Sequence, residues 1–241
     1  SLVMQLEPVY AHILAQYQQV IKQRNALLRK LKRGDTPLPE LPQLAVWDAQ
    51  LAAHGARVTR RRSRVLARLA PLAKTWHHHI SGAQETLAIH YRPNVVWTED
   101  ETQVVQQVFL QQLQQRAIAE RQQGRTLVGP HRDEIEFQLN NTLARTFASQ
   151  GQQRTLVLAL KLAELELIEQ VVGDAPLLLL DDVLAELDLH RQQQLLETIQ
   201  DRCQTLITTT HINTFAGPWL QSAQVLSVQA GQVQPLATNQ I

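Results

Sequence analysis

At 241 residues the chain can bury a substantial core, as one large domain or two small ones, and its 44% hydrophobic and 19% charged content is that of an ordinary globular protein. No run nears the ~18 apolar residues of a membrane span, no signal-peptide pattern opens the chain, and its one cysteine, Cys203, excludes an intrachain disulfide and suits a reducing cytosol. The net charge of +1 hides an asymmetry: residues 1–92 carry fourteen Lys/Arg against five Asp/Glu, and residues 93–241 carry nine against seventeen, so a polyanion is the expected partner of the first part.

In chain order, residues 8–33 read as one long helix. Pro8 sits where a first turn tolerates it, and Leu14, Tyr17, Ile21, Leu28 and Leu31 recur at spacings of three, four and seven. Gly34, Pro37, Pro39 and Pro42 then break the helix. A second long helix is expected over 43–79, where Leu44, Leu51, Val58, Val65 and Leu72 fall every seventh residue as a bundle seam. Pro71 implies a kink there or an earlier end. The two helices should form an antiparallel pair. Residues 87–91 alternate as a short strand that stops at Pro93, and a third helix over 99–122 opens on Glu99, Asp100 and Glu101, charges that suit a helix N-terminus.

After Gly124 the texture changes. Residues 126–128 and 134–139 read as strands on either side of Gly129-Pro130-His131-Arg132-Asp133, with a turn at Asn140-Asn141. From Ser149 helix and strand alternate: helix 150–172, strand 177–181, helix 189–201, strand 204–209, then a hairpin of 224–228 and 232–236 around Gly231. That alternation predicts an α/β fold with a mostly parallel sheet over 124–241, preceded by a mainly helical arm over 1–123.

Two motifs carry chemistry. Leu177-Leu178-Leu179-Leu180-Asp181-Asp182 is a short apolar run ending in two carboxylates, the pattern of a buried strand that delivers acids to a sheet edge. A strand followed by an Asp helix cap explains the same letters without any function. Ser149-Gln150-Gly151-Gln152 opens a helical pattern, as a helix N-terminus aimed at an anion would, and as a plain Ser cap would. In this order, and followed by Glu186-Leu187-Asp188, they match the Walker B strand, the signature motif and the D-loop of an ABC-type ATPase head. Asp181 would then hold the shell of a Mg²⁺ ion, and Asp182 would orient or deprotonate the attacking water. Many ABC ATPases carry Glu at that second position; the shorter Asp implies slow hydrolysis or a tighter dimer. Ser149, Gly151, Gln152 and Asp188 form the expected ATP-binding set, with the N–H groups around Gly151 donating to a γ-phosphate. His211 stands where ABC proteins place a switch histidine, and also where a structural histidine ends a strand.

A P-loop needs Gly-x-x-x-x-Gly-Lys-Ser/Thr, and none of the five lysines follows a glycine. These residues alone therefore look like the C-terminal portion of an ATPase. Other chemistries fail on spacing. His77, His78 and His79 are consecutive and face different ways on a helix, no Cys/His pairing suggests zinc, and no Gly-x-Ser-x-Gly elbow is present. Arg57, Arg60, Arg61, Arg62, Arg64 and Arg68 form the densest basic cluster, followed by Arg29, Lys30, Lys32 and Arg33; the cluster is either a solvated helix face or a contact for DNA phosphates.

Leu6-x-Pro8-x-Tyr10, Tyr17, Lys22-Gln23-Arg24-Asn25-x-Leu27-Leu28, Gly129 through Asp133, the Ser149 motif, Leu179 through Val183 and Glu186-Leu187-Asp188-x-x-Arg191 together resemble the RecF family almost end to end. These are bacterial recombination mediators of the SMC-like branch of ABC ATPases. The arm and the Gly-Pro-His-Arg-Asp segment separate that family from transporter ATPases. Two departures stand out: Gln150 replaces the first Gly of the common LSGGQ signature, and the P-loop region is missing. The resemblance implies a cytoplasmic, ATP- and Mg²⁺-dependent protein of recombinational repair, replication restart and the SOS response. It would dimerise head to tail on double-stranded DNA and act with RecO and RecR to load RecA at single-stranded gaps. The full-length protein would be a slow ATPase, and these residues alone inactive. Two other readings stand beside it: a non-enzymatic DNA- or protein-binding arm, and half of another SMC-like or transporter-type ABC ATPase.

Overall fold

Residues 2–33, 41–174, 176–184, 187–199, 202–210 and 223–236 are described by a computed structural model. The chain divides into two units, residues 1–70 with 89–137 and residues 71–88 with 138–241. The sequence reading divides it between 123 and 124 instead. The difference arises because the Gly129–Asp133 segment is bonded into the helical unit, and its hydrogen bonds are long-range ones that no local pattern announces.

Unit 1 is built on α2 (Val9–Arg33) and the first three-quarters of α3 (Leu41–Ile80), with a short α1 (Leu2–Leu6) that the sequence reading does not include. The two long helices run antiparallel. Arg24 meets Asp48 toward one end, while Arg61 and Arg62 meet Glu7 and Tyr10 at the other. The seven-residue seam buries Leu44, Leu51, Val58 and Val65, but Leu72 is only half-buried, and Leu69, Ala73, Trp76 and Ile80 take over. A straight α-helix drifts about 20° per heptad, so a stripe spaced by seven leaves the packed face within a few turns. Pro71 lies inside α3, which continues to Ile80 and so does not end early as one of the two expectations had it. Helix α4 (Thr102–Gln123) adds Val105, Phe109 and Leu113 to the core and ends at Gly124, whose φ of 70° forms a left-handed cap. Each large apolar side chain so buried contributes about 1.5–3 kcal/mol.

Charge is also buried here. Arg24 is 1% exposed, with Nε 2.6 Å from Asp48 Oδ1, Nη2 2.6 Å from Glu120 Oε2 and Nη1 donating to Thr126 Oγ1 at 3.0 Å. The Thr126 N–H donates to Asn25 Oδ1 and the Leu127 N–H to Glu120 Oε1, both at 2.7 Å. Those amides are taken by side chains instead of a ladder, and residues 126–128 are a loop where the sequence suggested a strand. The following turn, Pro130–Arg132, is clasped from several sides: Arg62 donates to the Pro130 carbonyl at 2.6 Å, Tyr17 to His131 Nδ1 at 2.7 Å, and Asp133 accepts from Tyr91 and from the Asn94 N–H. Burial pushes the Tyr17 and Tyr91 hydroxyls well above the usual tyrosine range, so both remain donors. Gly129 has φ 127°, and a Cβ there would lie 2.5 Å from the Tyr17 hydroxyl; only glycine fits.

A three-stranded sheet has the order β1-β2-β3, from β1 (Leu87–Arg92), β2 (Glu134–Leu139) and β3 (Thr142–Leu143), with β2 and β3 antiparallel around Asn140-Asn141. Unit 2 then holds the one-turn α5 (Ala144–Phe147) and the long α6 (Gln150–Val172), which buries Leu156, Leu158, Leu162 and Leu167. Strands β4 (Leu178–Asp181) and β5 (Thr205–Thr208) pair in parallel with Asp181 opposite Thr208, and α7 (Leu189–Ile199) lies between them in sequence. The last two strands, β6 (Leu226–Gln229) and β7 (Gln232–Pro235), form an antiparallel hairpin around Ala230 and Gly231, both at positive φ. The fold is α/β, with β4 and β5 paired in parallel and the β2–β3 and β6–β7 pairs antiparallel. No helix among the described residues is long and apolar enough to cross a membrane.

Candidate functional site

The apolar run delivers its acids to the end of a strand, but among the described residues the strand is covered on one face only and not buried as its letters suggest. Leu178 and Leu180 point inward on β4, Leu179 and Asp181 outward, and both Asp181 and Asp182 are exposed at the strand's C-terminal end. Thr208 of β5 fixes them: its hydroxyl donates to Asp181 Oδ1 at 2.5 Å, and the Asp182 N–H donates to Thr208 Oγ1 at 3.1 Å. One Asp181 oxygen is thereby engaged by Thr208. Sequence reasoning missed Thr208; its place opposite the acid on a parallel neighbour was the available signal.

The signature segment is a capping box. Ser149 Oγ accepts from the Gln152 N–H at 3.2 Å, and Gln152 Oε1 accepts from the Ser149 N–H at 2.8 Å. Among the described residues the Ser149 hydroxyl acts as an acceptor in this box, which leaves its O–H to donate elsewhere. Gln152 is turned inward, since its amide nitrogen also donates to Glu85 Oε1 at 3.1 Å. Gly151 is different. A Cβ built there would meet nothing within 4 Å, so no packing among the described residues demands a glycine at this helical position.

Asp188 caps α7, with Oδ1 accepting from the Arg191 N–H at 3.0 Å. The Arg191 guanidinium then ties the motifs together. Its Nε lies 3.2 Å from Asp188 Oδ2, Nη1 donates to the Gly151 carbonyl at 3.1 Å and also to Thr155 Oγ1, and Nη2 meets Glu85 Oε1 at 3.1 Å. Ser149, Gly151, Gln152 and Asp188 are therefore brought together around two residues, Glu85 and Arg191, that were not on the sequence-derived site. The spacing Asp188-x-x-Arg191 hinted at one; Glu85, 106 residues from its partner, left no signal. His77 is wholly buried, with Nε2 3.5 Å from Glu85 Oε2 and, among the described residues, no hydrogen-bond partner for either ring nitrogen. Burial, helped by Arg191, holds its pKa below the usual histidine value against the pull of Glu85. His211 and Glu186 lie outside the described residues.

The predicted DNA-binding arginines divide into two groups. Arg62 holds Tyr10 and the Pro130 carbonyl, Arg61 pairs with Glu7 at 2.8 Å, and Arg60 pairs with Asp100 at 2.5 Å and with Thr102. These three are structural as well as cationic. Arg57, Arg64 and Arg68 are exposed at spacings of seven and four on one face of α3, and of them only Arg64 engages Asp100, at 2.7 Å. The hydrogen bond from Arg60, with Arg64 beside it, holds the Asp100 carboxyl below its usual range despite a small opposing loss of solvent. Arg57, Arg60, Arg61 and Arg64 line a groove of about 500 Å³ with His12, Gln16 and Thr102.

A parallel strand pair ending in two acids, next to a long helix opened by a Ser-x-Gly-Gln box, has the α/β arrangement of an ABC-ATPase-type head. No family model matches the chain. Individual relatives do. The DNA replication and repair protein RecF of Gloeothece citriformis is 62% identical over 97% of this chain and 64% of its own length, and that of Rippkaea orientalis is 60% identical over 98% and 64%. A solved structure of the recombination mediator RecF with ATP, in the RecFOR pathway, superposes with a TM-score of 0.80 and 31% identity over 98% of this chain and 61% of that one. The chain is similar to these RecF proteins along nearly its whole length, and it spans about 64% of the length of the curated relatives it matches.

Proposed function

We propose that the protein to which these residues belong is an ATP-dependent DNA-binding protein of recombinational repair and replication restart. It dimerises head to tail on duplex DNA, and it acts with RecO and RecR in loading RecA at gaps. The observation that carries this reading is Gly151: a glycine that no packing among the described residues requires, in the first turn of a capped helix, leaves the backbone bare for an approaching anion. In the head-to-tail dimer the γ-phosphate would come from a partner subunit's nucleotide, because the signature helix of one subunit would face the nucleotide held by the other. ATP with Mg²⁺ supplies the phosphoryl group when bound. The residues present fit that pair. Asp181 has an oxygen beyond the one Thr208 engages for the ion's shell, Asp182 stands beside it to orient water, Ser149 could donate its O–H to the phosphate, and Asp188 is tied to the same motif through Arg191.

The test uses the intact protein. Asp182→Asn should keep ATP binding and the ATP-driven dimer while hydrolysis falls. Ser149→Arg should bind ATP as a monomer, because a bulky side chain fills the place of the partner's phosphate. Sedimentation with ATP separates the two. A normal dimer from Ser149→Arg would remove Ser149 and Gly151 from any trans contact.

A further inference from the structure

The Arg191 side chain is more fully engaged than a helix-capping role requires. Each edge of its planar fork is assigned: Nε to Asp188, Nη1 to the Gly151 carbonyl and Thr155, and Nη2 to Glu85. It is 18% exposed, and the Glu85 it meets is 10% exposed. Glu85 in turn takes the amide of Gln152, so one carboxylate oxygen collects both the signature box and the guanidinium. A displacement of the Gly151 backbone must strain the Asp188 contact, and the reverse. We infer that Arg191, seated on Glu85, is a positioning residue that makes the first turn of α6 and the start of α7 move as one body, so that Ser149, Gly151 and Asp188 reach a partner's nucleotide in a fixed relation.

This inference rests on the trans-nucleotide reading above for its purpose, but its geometry is independent of it. A lysine cannot replace the fork, because a single ammonium nitrogen cannot hold three separated acceptors in fixed directions. The conservative change lies at Glu85: Glu85→Gln keeps an oxygen that accepts from Arg191 and Gln152, and removes only the charge.

Two readouts on the intact protein separate the possibilities. In Arg191→Ala, and in Arg191→Lys should the alanine variant fold poorly, amide exchange should rise about tenfold, the scale set by losing hydrogen bonds to a charged group. The rise should occur in both segments, residues 149–153 and 189–192, while the C-terminal half of α6 and all of unit 1 are unchanged. Glu85→Gln should retain most of the protection. ATP binding to the monomer should be intact while ATP-driven dimerisation weakens by about the same tenfold factor. Faster exchange at 189–192 alone would reduce Arg191 to a cap of α7, and a uniform rise through unit 2 would make it a general stabiliser; either result overturns the inference. If exchange couples the two segments yet Ser149→Arg dimerises normally, the coupling stands and the trans-nucleotide reading falls.

Discussion

In unit 1 a guanidinium lies 1% exposed between two carboxylates, whereas in unit 2 Leu179 stands 62% exposed on one strand of a parallel pair. The first arrangement is self-contained. Arg24, Asp48, Glu120, Thr126 and Asn25 satisfy one another, and the clasped Gly129–Asp133 turn closes the unit with side-chain bonds. The second is open. Parallel sheets are ordinarily covered on both faces, yet Leu177, Leu179 and Leu206 are more than half exposed on β4, its approach and β5, as is Val157 on α6. Among the described residues, unit 2 is therefore held by one covered side of β4–β5 and by the packing of α6 and α7. A polar interior fixes which helices meet and in what register; an uncovered apolar face contributes little to stability where it stands.

The sharpest way to break this contrast is at Arg24. Arg24→Met leaves Glu120 and Asp48 facing apolar surroundings, and removing one partner of a buried ion pair costs about 3–5 kcal/mol. Urea unfolding should show that drop in stability. A cost within ~0.5 kcal/mol, the range of ordinary surface changes, would mean that the network is not the organiser of unit 1.

The cationic face of unit 1 comes next. Arg57, Arg64 and Arg68 changed together to Ala should flatten the salt dependence of duplex binding by about 0.9 in log–log slope for each phosphate that is no longer neutralised. The same treatment of Arg60, Arg61 and Arg62 should damage the fold first, because those side chains hold Asp100, Glu7 and Pro130. An unchanged slope in the first triple would move DNA binding off α3.

Acid should weaken both units, in one direction. His77 in unit 2 and His54 in unit 1 have pKa values pushed below the usual histidine value, in each case first by burial. Above about pH 6.5, the ordinary histidine value, folded and unfolded chains are both neutral there and no cost arises. As pH falls below that value the unfolded chain binds the protons more readily, so stability declines until the lower native pKa is reached. Thermal unfolding at pH 7.5 and 5.5 should reveal the fall, and His77→Leu should flatten it.

Gly151 gives the smallest change in stability. Its helical site is open, so Gly151→Ala should stabilise unit 2 by about 0.4–1 kcal/mol, while ATP-driven dimerisation of the intact protein declines. A destabilised variant would mean that the glycine serves the fold after all.

Much of this was legible in the sequence, for identifiable reasons. The long helices of the arm were visible because their apolar spacing repeats over many turns, and β4 because four leucines precede two acids. The α6 start was visible because a capping box is a local pattern of four residues. Three things were hidden. A buried Arg24 reads as a surface charge until partners 24 and 96 residues away are known. The loop at 126–128 has strand-like letters but gives its N–H groups to side chains of α2 and α4. The arginine cluster reads as uniformly basic because nothing local says which members face carboxylates.

The backbone at Asp182 also bears on why this acid is one methylene shorter than the Glu common in ABC ATPases. Its φ is 51°, a left-handed turn immediately after the strand, held by donation of its N–H to Thr208. Aspartate and asparagine visit that region far more readily than longer side chains, because a short polar group can bond to its own neighbouring backbone. The conformation thus selects the acid. An asparagine here changes charge and preserves shape, whereas a glutamate would add reach and torsional penalty together, so any gain in turnover from the longer acid would be set against a less willing chain.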